Sequence, residues 1–243
     1  MLGVILAGGK GTRLKPFTMN IPKPLLPVGD TPIVDVVICQ LAAAGIKRIV
    51  LALGHMAPLF TAVIGNGSKW GVDVEYCLED EPLGTAGVLR LIREPADELL
   101  VMNGDILTTL DYQALFSTHQ RMNSWATIAV TRREVQIDYG VVVAENGYLQ
   151  DYKEKPSIQY EVSMGINVLS ARCIELIPAG GKFDMPDLLL AIRRAGKQVA
   201  CHRTDCYWKD IGLFEDYQKA SADFVDDPSK FQPRRESKPC ASR

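Results

Sequence analysis

The chain has 243 residues, a formal net charge of −2, 47% hydrophobic and 23% charged residues. That is the balance of an ordinary soluble protein with one large domain or two small ones. The near-neutral charge excludes a generally basic nucleic-acid binder, and no apolar run approaches the roughly 18 residues of a membrane span. Cys39, Cys77, Cys173, Cys201, Cys206 and Cys240 form no CxxC pair, which argues against a disulfide framework or zinc site and for reduced thiols in a cytoplasmic protein.

Met1 to Ala7 is an unbroken apolar run that reads as a buried parallel strand, with no room ahead of it for a signal peptide. It stops at Gly8-Gly9-Lys10-Gly11-Thr12-Arg13, and Pro22-Lys23-Pro24-Leu25-Leu26-Pro27 follows. Glycines let backbone N–H groups turn toward an anion without a Cβ in the way. Lys10, Arg13 and Lys23 add cations, so the combination points to a polyphosphate ligand. A P-loop is excluded because Lys10 is followed by Gly11 rather than Ser or Thr. A dinucleotide fingerprint is excluded because Leu14 stands where its third glycine belongs.

Thr31-Pro32 is expected to open a helix with Ile33, Val37, Leu41 and Ala44 buried and Gly45 as its stop. Ile49 to Leu53 reads as a second buried strand ending at Gly54-His55, where His55 is either a loop histidine or a ligand. A short helix over 59–64 and a strand over 72–77 follow. After Glu79-Asp80-Glu81-Pro82, Leu83-Gly84-Thr85-Ala86-Gly87 starts a helix carrying Leu89 and Ile92, with Thr85 as a possible cap. Leu99 to Met102 is a strand that delivers Asn103-Gly104-Asp105 at its carboxyl end, the end at which open α/β sheets bind ligands. A helix over 112–122 and a strand over 126–131 extend the alternation, which predicts a doubly wound, mainly parallel sheet.

The pattern then changes. Two runs over 139–143 and 148–152 flank Asn146-Gly147, a hairpin signal. They lead to Glu154-Lys155-Pro156, and a strand over 163–168 follows. Asp184-Met185-Pro186-Asp187 introduces a helix stopped by Gly196. A strand-like run over 199–207 ends in Trp208-Lys209-Asp210-Ile211-Gly212, ahead of a helix over 214–225. From Asp226 the chain is polar and lacks periodicity, and it reads as a flexible tail over 226–243. Arg234-Arg235 is too short for a nucleic-acid patch.

LAGGKGTRLKPFT with PKPLLPV resembles the signature of the sugar-1-phosphate nucleotidylyltransferases. YGVV with EKP and the Trp-x-Asp-x-Gly block at 208–212 resemble two more of that family's blocks. LGTAG looks like its guanylyltransferase version. The resemblance implies a three-layer, Rossmann-like nucleotide-diphospho-sugar transferase fold in a single domain over 1–225. Residues 1–110 would bind nucleotide and 111–225 sugar phosphate, the latter through a late antiparallel insertion. It implies nucleotide contacts from Leu6, Ala7, Gly8, Gly9, Gly11, Thr12, Arg13, Gly84, Thr85, Asn103 and Gly104. Sugar-phosphate contacts would come from Gly140, Glu154, Lys155, Gly165 and Asn167, although Ser163, Met164 and Asn167 depart from the family's Asn-Ala-Gly-Ile-Tyr wording. Arg13 and Lys23 would be catalytic, and Asp105 and Asp210 would bind Mg2+.

On this reading the partners are a nucleoside triphosphate and a sugar 1-phosphate, with no nucleic acid and no membrane. A homo-oligomer, dimer or tetramer, accords with family habit. The hexapeptide helix domain that some relatives append is not present in the sequence, so the chain reads as a short form carrying one activity. GTP with a mannose- or heptose-type 1-phosphate is the expected pair. Thymidylyl, cytidylyl or uridylyl transfer to another hexose 1-phosphate, a related enzyme with a non-sugar acceptor, and a non-catalytic nucleotide-sugar-binding regulatory relative are the alternatives.

Overall fold

The structure, a computed structural model, describes residues 1–232 apart from Lys10 and His55. The expectations placed on Lys10, His55, Arg234, Arg235 and Cys240 lie outside the described residues. In chain order, β1 (Leu2–Leu6) runs into the glycine loop, and the short strands β2 (Pro27–Val28) and β3 (Thr31–Pro32) precede α1 (Ile33–Ala43). Next come β4 (Arg48–Leu53), α2 (Ala57–Ile64), β5 (Asp73–Leu78) and the single-turn α3 (Gly84–Gly87). They are followed by β6 (Glu98–Asn103), β7 (Ile106–Thr108), α4 (Tyr112–Met122) and β8 (Ala126–Gln136). The hairpin strands β9 (Val141–Glu145) and β10 (Tyr148–Lys153) lead to β11 (Ser157–Ser170), α5 (Met185–Arg194), β12 (Val199–Arg203), β13 (Trp208–Asp210) and α6 (Phe214–Asp226).

Among the described residues one seven-stranded sheet forms, in the order β12-β8-β11-β6-β1-β4-β5. β6, β1, β4 and β5 are mutually parallel, β11 runs antiparallel to both β6 and β8, and β12 is parallel to β8. This is the doubly wound, mainly parallel sheet that the alternation of elements predicts, whereas the antiparallel hairpin of β9 and β10 forms a two-stranded sheet of its own. Strand pleating divides the core. Leu2, Val4, Leu99 and Val101 pack on one face with Ile192 and Leu188 of α5, whereas Ile5, Leu100 and Met102 pack on the other with Val37 and Leu41 of α1 and Leu115 of α4. A third cluster joins Leu14, Leu26, Val28 and Ile33 to Leu107, Ile211, Phe224 and Phe231. No helix among the described residues is long and apolar enough to cross a membrane, and no disulfide joins the described cysteines.

The hairpin closes on Asn146 (φ 53°) and Gly147 (φ 85°), the two positive-φ positions that a type I′ turn demands. Several local expectations are corrected. Thr31 does not cap α1; it lies in β3, and its hydroxyl donates to Asp30 Oδ1 at 3.0 Å. Thr85 does not cap a helix through Ile92, because α3 gives way to a 3₁₀ turn at Val88–Leu91. β8 continues past Thr131 to Gln136 because Ser157–Ser163 of β11 pair with it there. The segment after Asp226 is not loose up to residue 232. Phe231 is buried, lies edge-on to Tyr207 with ring centroids 5.0 Å apart, and accepts Gln40 Nε2 on its carbonyl at 2.7 Å.

Candidate active site

The parallel strands β1, β4 and β6 end side by side, so their carboxyl-terminal loops share one rim. The glycine loop is pinned there: Ala7 N donates to Ala52 O at 2.9 Å and Gly104 N to Leu6 O at 2.9 Å. Gly11 takes φ 59°, and Thr18 Oγ1 folds back to donate to its carbonyl at 2.7 Å. A Cβ at Gly11 would lie 3.0 Å from Thr18 Cγ2, so only glycine fits this turn.

A cleft of about 420 Å³ opens along this rim. Leu6, Ala7, Gly8, Gly9, Gly11, Thr12, Arg13, Lys23, Gly84, Thr85, Asn103 and Asp105 all line it. Gly104 stands behind the lining, its Cα hemmed in by Ile5 and the Leu6 carbonyl. At one end, Lys23 Nζ donates to Asp105 Oδ2 and lies 3.8 Å from Asp210 Oδ1, although its own side chain is only 9% exposed. The two aspartates meet because β7 and β13 pair antiparallel, with Asp210 opposite Ile106 and Ile211 N donating to Asp105 O at 3.1 Å. The Arg13 guanidinium rests on Gly212: an added Cβ there would lie 3.4 Å from Nη1. Burial, and then the charge of Asp105, push the Asp210 carboxyl above its ordinary pKa, against the opposing pull of Lys23 and Arg13.

Asp105 Oδ1 is buried and has no hydrogen-bond partner. A buried carboxylate oxygen left unsatisfied is costly. With Asp210 beside it, the pair offers hard oxygen donors of the kind that hold a divalent cation through one or two carboxylates plus substrate phosphates. No group of three or more His, Cys, Asp or Glu among the described residues is arranged to cage an ion by itself. The residues therefore fit a metal shared with a phosphate ligand, and do not fit a closed structural site.

The opposite wall was partly hidden in the sequence. Glu79, Pro82, Lys182 and Asp184 also line the cleft. Glu79 Oε2 accepts Leu83 N at 2.8 Å, and Oε1 faces Gly8. The signal for Glu79 was its position just past the carboxyl end of a strand. Asp184 accepts the Thr85 N–H at 3.0 Å, and the Phe183 carbonyl accepts Ala86 N and Gly87 N. These links span about a hundred residues and leave no local signature.

The sugar-side candidates are not gathered in this cleft. Gly140, Glu154 and Lys155 belong to the exposed hairpin region. A Cβ at Gly140 would lie 2.0 Å from the Tyr152 hydroxyl, which itself donates to Glu154 Oε2 at 3.0 Å. Lys155 sits in a turn at φ 43°. Gly165 reaches the cleft only through Asn103: at φ 71°, a Cβ there would lie 2.7 Å from Asn103 Nδ2. Asn167 is buried in β11 opposite Val101, with Oδ1 unpartnered.

The family model described as nucleotidyl transferase matches residues 2–227. The chain belongs to the nucleotidyl transferase family. Among curated members it is similar to a mannose-1-phosphate guanylyltransferase of Mycobacterium tuberculosis, with 31% identity over 231 residues, 91% of this chain and 64% of the relative. It is also similar to a UTP–glucose-1-phosphate uridylyltransferase of Synechocystis, with 32% identity covering 90% of this chain and 62% of the relative. The chain thus spans under two thirds of the length of these two relatives. Among solved structures of the fold, HddC from Yersinia pseudotuberculosis complexed with GMP-PN matches with a TM-score of 0.70 and 28% identity, covering 92% of this chain and 99% of that one.

Proposed function

We propose that this chain transfers a nucleotidyl group from a nucleoside triphosphate to a sugar 1-phosphate and releases pyrophosphate. The observation that carries the reading is the convergence of Arg13, Lys23, Asp105 and Asp210 on the end of a glycine-lined cleft. A sugar-phosphate oxygen attacks the α-phosphorus, a P–O bond forms, and the bond to the β-phosphate oxygen breaks. Both reactants are anions, so positioning and charge neutralisation dominate the barrier. The loop over Gly8–Arg13 cradles the departing pyrophosphate, and Arg13 balances its charge. Lys23 neutralises the α-phosphate. Gly140, Glu154 and Lys155 supply the sugar-phosphate side. Mg2+ held by Asp105 and Asp210 would supply Lewis-acid polarisation of the phosphate oxygens.

GTP is the preferred nucleotide in this reading. The Glu79 carboxylate offers an acceptor to the two adjacent donors on the Watson–Crick edge of guanine, N1–H and N2–H₂, where thymine and uracil present a single N–H. The guanylyltransferase relative and the guanine nucleotide in the HddC complex support the same choice. A mannose- or heptose-type 1-phosphate is the acceptor. Uridylyl transfer to glucose 1-phosphate is the second reading, favoured by the uridylyltransferase relative at 32% identity. A cytoplasmic setting is part of this reading, on a cysteine pattern without CxxC pairs.

The test is pyrophosphate release across GTP, UTP, dTTP, CTP and ATP against mannose, glucose, glucosamine and manno-heptose 1-phosphates, with and without Mg2+. Magnesium-dependent release with GTP and a mannose-type acceptor is the expected result. Silence in every combination from folded protein that still binds nucleotide would overturn transfer in favour of a binding role.

A further inference from the structure

Two loops bring the reactive charges together, and each carries a phenylalanine four residues beyond its charge: Phe17 after Arg13, and Phe214 after Asp210. These rings stack with an offset, their centroids 5.2 Å apart and planes 3° from parallel. Tyr217, one turn along α6, completes the group, with its ring 6.5 Å from Phe17 and 6.4 Å from Phe214. Its hydroxyl donates to Pro27 O at 2.7 Å, at the far end of the segment that bears Lys23. The first turn of α6 therefore grips both ends of the stretch from Arg13 to Pro27. Phe17 and Phe214 remain 48% and 42% exposed. Two half-exposed rings contribute little to a core, yet they form a direct side-chain link between the signature loop and the Asp210 loop, beside the Lys23–Asp210 approach and the Leu14–Ile211 packing.

We infer that Phe17, Phe214 and Tyr217 form an aromatic clasp that sets the distance from Arg13 and Lys23 to Asp210. They are positioning residues for nucleotidyl transfer, and the inference rests on that reading of the site. Stacked rings tolerate sliding far less than a flexible aliphatic contact does. An error of about 1 Å in the placement of reacting groups is enough to cost roughly a hundredfold in rate. Gly212 lies between Asp210 and Phe214 and carries the Arg13 guanidinium on its Cα side, so any movement of the Phe214 ring is passed to Arg13 within two residues.

The experiment compares Phe17→Ala, Phe214→Ala, their double variant, Phe214→Tyr and Tyr217→Phe in the full chain. Each alanine variant is expected to lower kcat by about tenfold or more while KM for the nucleotide changes by less than about threefold, because the wall formed by 83–87 and 183–185 is untouched. The double variant should be no more than about twofold worse than the poorer single one, the non-additivity of a shared contact. Phe214→Tyr keeps the stack and should restore kcat. Tyr217→Phe removes only the bond to Pro27 and should give an intermediate loss.

Hydrogen exchange supplies the arm that needs no activity. The amides of Leu14 and Met19, which donate within the loop to Gly11 O and Pro16 O, should exchange faster in both alanine variants while those of α1 do not. Unchanged exchange in both alanine variants, fully multiplicative losses in the double variant, or equal losses in Phe214→Tyr and Phe214→Ala would each overturn the clasp. If the wild-type chain releases no pyrophosphate with any substrate pair, the transfer reading fails, and the exchange result alone decides whether the clasp holds the two loops.

Discussion

The backbone N–H of Thr85 donates to Asp184 Oδ1 at 3.0 Å, and the Thr85 hydroxyl accepts the Met185 N–H at 2.7 Å. The two residues stand 99 positions apart and clamp one wall of the cleft to the start of α5. The Thr85 amide holds the Asp184 carboxyl below its ordinary pKa. The stabilisation is therefore present at neutral pH and is lost as the pH falls through that depressed value. Asp184→Ala is expected to cost about 1 kcal/mol, the usual loss for a helix N-cap. It should also weaken nucleotide binding, with little change in kcat. Urea unfolding and nucleotide titration check the two halves separately.

Arg13→Ala and Lys23→Ala are each expected to lower turnover by roughly 10²–10³-fold, the loss typical of one electrostatic contact in a transition state. Steady-state kinetics checks this. A variant within about threefold of wild type would remove that residue from the mechanism.

Asp105→Asn should abolish metal-dependent turnover, because the amide cannot supply an anionic oxygen where the buried Oδ1 now has no partner. Chelation of the wild-type protein should have the same effect and be reversed by added Mg2+. Turnover measured against Mg2+ concentration decides the matter: an unchanged curve in Asp105→Asn would refute the ligand role.

Gly165→Ala introduces a Cβ 2.7 Å from Asn103 Nδ2 at a backbone φ of 71°. The left-handed backbone and the clash should together lower stability by about 1–3 kcal/mol. Asn103 lines the cleft, so KM for the nucleotide should rise as well. Thermal unfolding and kinetics on the same preparation test both effects. A variant with wild-type KM would show that Asn103 accommodates the methyl group without moving.

His119 is buried, with Nδ1 2.8 Å from Thr127 Oγ1, and burial lowers its pKa despite the opposing pull of Glu98. His202 is lowered in the same way, against Asp111. Below the unfolded histidine pKa of about 6.5 the unfolded chain takes up protons that the folded chain refuses. Stability is therefore full above about pH 6.5 and declines as the pH falls toward the folded values. His119→Gln keeps a bond to Thr127 and should flatten part of that slope. Urea midpoints measured as a function of pH check it.

The parallel half of the sheet was legible because its strands are short apolar runs punctuated by glycines, and the Asn146-Gly147 turn was legible because few other dipeptides accept two positive φ angles. The glycine loop and Lys23 were legible because small residues and cations stand close together in sequence there, and Asp105 because it follows the carboxyl end of a strand. The clamp between Thr85 and Asp184 was not, since hydrogen bonds across a hundred residues leave no periodicity behind. The Phe231 anchor was hidden because a single aromatic in a polar stretch gives no pattern, yet its ring fills a slot between Tyr207 and Phe224. Gly140, Glu154 and Lys155, expected on the sugar side, were read from their wording, and the folded chain sets them apart from the glycine-lined cleft on the hairpin region.

The third core cluster ties the first quarter of the chain to its last described residues, since Leu14, Leu26, Val28 and Ile33 bury against Ile211, Ala220, Phe224 and Phe231. During synthesis the amino-terminal part leaves the ribosome first. Those four side chains then have Leu107 to pack against but lack their carboxyl-terminal cover until residue 231 has emerged. A nascent chain halted before Asp210 would present an apolar strip beside its glycine loop, a surface suited to chaperones, and Lys23 would face Asp105 without Asp210. The proposed centre is therefore among the last parts of the molecule to be assembled, and a chain released early would display the glycine loop without its facing aspartate.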